Sequence, residues 1–76
     1  MVMLEDLIKH FAKSVGREKA ESLINVAIEK LKLEKKKFYS YEEALQICNK
    51  IEEESTGFVK VIAANLKSML EVKRLI

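Results

Sequence analysis

The chain of 76 residues contains no proline. Proline breaks helices from within, because it lacks an N–H and its ring strikes the preceding turn. Without it, the strongest punctuation left is glycine, and there are two, Gly16 and Gly57. The apolar residues between these marks recur with a helical period, so the pattern predicts an all-α chain.

Four helices follow, over about 3–14, 17–32, 40–54 and 58–74. In the first, Leu4, Leu7, Ile8, Phe11 and Val15 obey the i, i+3, i+4, i+7 rule. Gly16 is placed to end it in the left-handed conformation. In the second, Ala20, Leu23, Ile24, Ala27, Ile28 and Leu31 form a stripe, whereas Val26 and Leu33 fall outside it. The third has the clearest start in the chain. Ser40-Tyr41-Glu42-Glu43 reads as a capping box, with Tyr39 and Ala44 placed for a hydrophobic staple. Ala44, Leu45, Ile47, Cys48 and Ile51 then mark its buried face. Residues 33–39 read as a connection. These elements predict a compact bundle of four short helices forming one domain over 1–76.

The fourth helix differs from the others. Its apolar residues, from Phe58 and Val61 through Ile62, Leu66 and Met69 to Ile76, cover roughly 200° of the circumference, where about 100° suffices for a surface helix. Either the other helices cover this arc, or part of it meets a partner. Phe58, Val61, Ile62, Val72, Leu75 and Ile76 are the candidate interface, and a homodimer is the commonest arrangement. A faint similarity at a 38-residue offset links 23–36 with 61–74, which is no more than amphipathic helices share by chance.

Composition narrows function further. Cys48 is the sole cysteine, which excludes an intramolecular disulfide and predicts a reducing, cytoplasmic setting. His10 is the sole histidine, so no zinc site built within one chain is expected, and no cofactor motif is present. With one Asp, one His and one Cys, any catalytic site would rest on Glu and Lys, which argues against an enzyme. Both His10, at the edge of the first stripe, and Cys48, inside the third, read as packing residues. A chain this short has a small core and needs very good packing or a partner subunit. The longest apolar run is far too short to span a bilayer, and acids at Glu5 and Asp6 do not suit a signal peptide or a basic membrane-surface helix.

Net charge is +2. Lysines are nonetheless concentrated at Lys30, Lys32, Lys35, Lys36 and Lys37, followed by Phe38 and Tyr39. Lysines can neutralise phosphates and aromatic rings can stack on bases, so a nucleic-acid interface is the alternative reading. The absence of arginine from the cluster weakens base readout. A helix-turn-helix over helices three and four is disfavoured, because the fourth helix offers only Lys60, Lys67 and Arg74 as a polar outer face. Glu52-Glu53-Glu54 reads as a solvated helix end. Lys and Glu enrichment with few amides also resembles the composition of hyperthermophile proteins. The function expected from the sequence is therefore a small non-enzymatic interaction or regulatory module, self-associating through helix four.

Overall fold

A computed structural model describes the backbone of residues 1–75 and the side chains of residues 1–73. The element order is β1 (Val2–Met3), α1 (Leu4–Val15), α2 (Arg17–Lys30), β2 (Phe38–Tyr39), α3 (Tyr41–Glu54) and α4 (Gly57–Leu75). The all-α bundle of four helices is as the sequence predicts. The two short strands are an addition.

The strands pair antiparallel, Val2 with Tyr39 and Met3 with Phe38. Alternate residues of a strand face opposite sides. Val2 and Tyr39 accordingly point into the core, while Met3 and Phe38 stand exposed side by side. The ribbon also starts α1. Met3 offers no side-chain cap, but the Leu4 N–H donates to the Lys37 carbonyl at 2.8 Å. One orphan donor of the first turn is thereby satisfied. Met3, expected inside the first helix, thus belongs to a strand.

The chain consists of two strand–helix–helix halves. Corresponding elements begin 36, 37 and 40 residues apart. Within each half the two helices pack closely, α1 on α2 and α3 on α4. The halves meet through α2 against α3, α1 against α4, and the ribbon. Ala20, Ala27, Ala44 and Ala63 are buried in the core, where small side chains take little room between packed helices. The Cα radius of gyration is 11.1 Å. A packed chain of this length gives about 11.4 Å, so α4 does not project from the bundle.

The helix ends explain the boundaries. Gly16 has φ +85° and ψ 159°, and its N–H donates to Ala12 O at 2.9 Å. Its φ is positive as expected, but ψ takes it to an extended region open almost only to glycine. One residue thereby ends α1 and begins α2. The second helix was expected to reach Lys32 and instead ends at Lys30. Lys32 turns to φ +58°, its N–H donating to Glu29 O and that of Leu33 to Ile28 O, both at 3.0 Å. This is a Schellman motif with lysine where glycine is usual. Leu33, outside the helical stripe in sequence, packs partly buried against the core as the motif's apolar contact.

At α3 the capping box forms as predicted. Glu43 N–H donates to Ser40 Oγ at 3.1 Å, and Ser40 N–H to Glu43 Oε1 at 3.0 Å. Tyr39 and Ala44, the expected staple, are fully buried.

Candidate interaction surface

Helix α4 divides its apolar arc. Val59, Ala63, Leu66 and Leu70 are buried in the core, spaced by four, three and four residues. At about 100° per residue these four span some 60° of the circumference. Most of the rest of the arc stands exposed among the described residues. Phe58 is 60% exposed, Val61 57%, Met69 47% and Val72 58%. Ile62 lies between the two sectors and packs partly buried against the core. Of the residues expected at an interface, Phe58, Val61 and Val72 therefore share one exposed row, and Ile62 flanks it. The Leu75 side chain and Ile76 lie outside the described residues. Met69 joins the row although the sequence placed it only within the general arc. Its spacing from Phe58 and Val72 is the signal that identifies it.

The opposite flank of α4 is tied to α3. Lys67 Nζ sits 2.7 Å from Glu52 Oε1 and 3.2 Å from Asn49 Oδ1. The pair raises the Lys67 pKa, chiefly through the hydrogen bond to Glu52. Glu54 accepts from Lys30 at 2.7 Å and Glu53 from Asn49 at 2.7 Å. The acidic run 52–54 thus has partners within its own chain. These pairs orient α3 against α2 and α4, though exposed ion pairs add little stability.

The basic stretch is partly engaged in the same way. Lys30 is held by Glu54, and Lys36 Nζ lies 3.2 Å from Glu43 Oε2 and 5.2 Å from the Tyr39 ring centroid. Tyr39 is fully buried. Its hydroxyl donates to Glu34 O and accepts from Lys36 N–H, each at 2.9 Å. That ring fastens the 33–37 connection and presents no face for a base to stack on. Lys32, Lys35 and Lys37 are exposed, as is Phe38.

Among the described residues neither lone reactive residue gains a hydrogen-bonding or ion-pair partner. Cys48 is fully buried in the core, and that burial pushes its thiol pKa up to about 12. A reactive thiol needs the reverse shift. His10 packs edge-on to Phe11 with ring centroids 6.2 Å apart. Desolvation, then Lys13, lowers its pKa. Among the described residues no cluster of three His, Cys, Asp or Glu could hold a metal ion, and no helix is long and apolar enough to cross a membrane.

Several hollows border exposed apolar residues, among them two at the start of α1. One, of about 260 Å³, is lined by Met3, Leu4, Ile8 and Phe38, with Glu5 and Lys37 at its rim. It exists because the ribbon sets Met3 beside Phe38, a juxtaposition of distant residues that no local pattern announces. The other, of about 220 Å³, lies between the start of α1 and the end of α4 and includes His10 and Met69. Both are smaller than typical ligand pockets, which begin near about 300 Å³. No protein-family model, curated protein or solved structure matches the chain.

Proposed function

We propose that this chain is a small non-enzymatic helical interaction module that self-associates through α4. One observation carries the reading: Phe58, Val61, Met69 and Val72 lie exposed along one face of the longest helix, with exposed Asn65 at its middle. Scattered apolar side chains on a surface need no explanation, but four aligned on one helix face favour an interaction site. The bundle's small size favours the same reading, because a chain with a limited core gains stability from a partner.

Sedimentation over a wide concentration range tests it. The expected result is a mass that rises from monomer towards dimer. Val61→Lys and Val72→Lys should hold the chain at monomer mass with an unchanged helical spectrum, since both side chains already face solvent. A monomer mass at every concentration would remove the self-association reading. Salt-sensitive binding to single-stranded or duplex nucleic acid, lost when Lys35, Lys36 and Lys37 become alanine, would instead support the phosphate-binding alternative.

A further inference from the structure

The exposed row of α4 is symmetric about Asn65. Val61 and Met69 lie four residues to either side of it, and Phe58 and Val72 lie seven to either side. At about 100° per residue, seven-residue steps deviate from Asn65 by about 20° and four-residue steps by about 40°, in opposite senses on the two sides. The surface is therefore close to its own image under a half-turn about an axis through Asn65. Asn65 is itself exposed, and the five positions of the row carry no charge.

We infer that two copies of this chain pair α4 against α4 in antiparallel fashion, with the twofold axis beside Asn65. This inference rests on the self-association reading and adds its geometry. A twofold contact requires a self-complementary patch, in which residue i meets j and j meets i. Here Phe58 meets Val72 of the second copy, Val61 meets Met69, and Asn65 meets Asn65. Each apolar side chain finds an apolar one, and the two amides hydrogen-bond at the centre. A polar residue within an apolar seam is a known means of setting register.

The parallel alternative uses the row less well. A parallel seam over 58, 62, 65, 69 and 72 draws on Ile62, which already packs partly buried against the core, and leaves exposed Val61 to one side. It also aligns the two helix dipoles unfavourably, whereas antiparallel packing opposes them. The four exposed side chains present roughly 400 Å² per chain, within the range of a protein's largest patch. Complete burial of these side chains in both copies removes about 800 Å², below the roughly 1,200 Å² of standard interfaces and in the class of weak, transient contacts. The association expected is a dimer with a dissociation constant in roughly the micromolar range.

Cysteine cross-linking in the full chain tests the orientation. Asn65→Cys, Phe58→Cys and Val72→Cys are made singly and oxidised mildly above the dissociation constant, with the wild type as control for buried Cys48. In the antiparallel pair, two copies of residue 58 stand about 21 Å apart along the axis, far beyond disulfide reach. The expected pattern is covalent dimer from Asn65→Cys alone and from Phe58→Cys mixed with Val72→Cys, with none from Phe58→Cys alone. Circular dichroism and melting confirm that each variant is folded. Covalent dimer from Phe58→Cys alone, with no Phe58→Cys/Val72→Cys heterodimer resolved by mass in the mixture, would overturn the antiparallel inference and leave self-association standing. Monomer mass for the wild type at all concentrations would overturn both.

Discussion

Tyr39→Phe isolates one hydroxyl. The ring is fully buried and remains, so apolar burial and most of the Lys36 cation–π contact are kept. What disappears is the donor to Glu34 O and the acceptor of Lys36 N–H, both 2.9 Å bonds. Leaving partly buried backbone groups without partners costs about 1–3 kcal/mol. A value of about 2 kcal/mol is a large share of the roughly 4–11 kcal/mol expected for 76 residues. It corresponds to a fall in melting temperature of about 10 °C. Urea unfolding followed by circular dichroism should show the midpoint falling with the slope unchanged, because the surface exposed on unfolding is the same. The Lys36 amide should also exchange faster. Tyr41→Phe is the control, since Tyr41 is only half-buried and should change stability by less than about 0.5 kcal/mol. If Tyr39→Phe matches that control, the hydroxyl does not fasten the connection.

Lys32→Gly should stabilise the domain by about 1 kcal/mol in urea unfolding, because glycine occupies φ +58° without the penalty a Cβ brings. Gly16→Ala should destabilise it although no atom lies within 4 Å of the new Cβ, since the strain is in the backbone. For Glu43, the Ser40 N–H and then Lys36 hold the carboxyl below the usual glutamate value. Its contribution is full above the unfolded value of about 4.3 and is lost as pH falls through the lower folded value. Glu43→Gln should accordingly flatten the acid side of a stability–pH curve. Cys48 should react with a thiol reagent at neutral pH only at the rate of unfolding, because burial lifts its pKa to about 12 and closes access. Rapid labelling of the folded chain would contradict that placement.

Much of the fold was legible locally. Helix existence follows from apolar period, and the start of α3 from Ser40 and Glu43, because these interactions join residues three or four apart. Gly16 was legible for the same reason. The end of α2 was not. Lys32 carries no sign of a positive φ, and the turn forms because Leu33 gains core contact. The ribbon was hidden too, since two-residue strands have no readable alternation and pair across the whole first half. For α4, the sequence by itself determined that its apolar arc exceeds the needs of a surface helix. Only the tertiary structure decided which part is core. The packing of α1 and α3 takes the sector of Val59, Ala63, Leu66 and Leu70 and leaves that of Phe58, Val61, Met69 and Val72 exposed. The physical reason is that apolarity is a property of each side chain, whereas burial depends on which neighbours the chain brings to it.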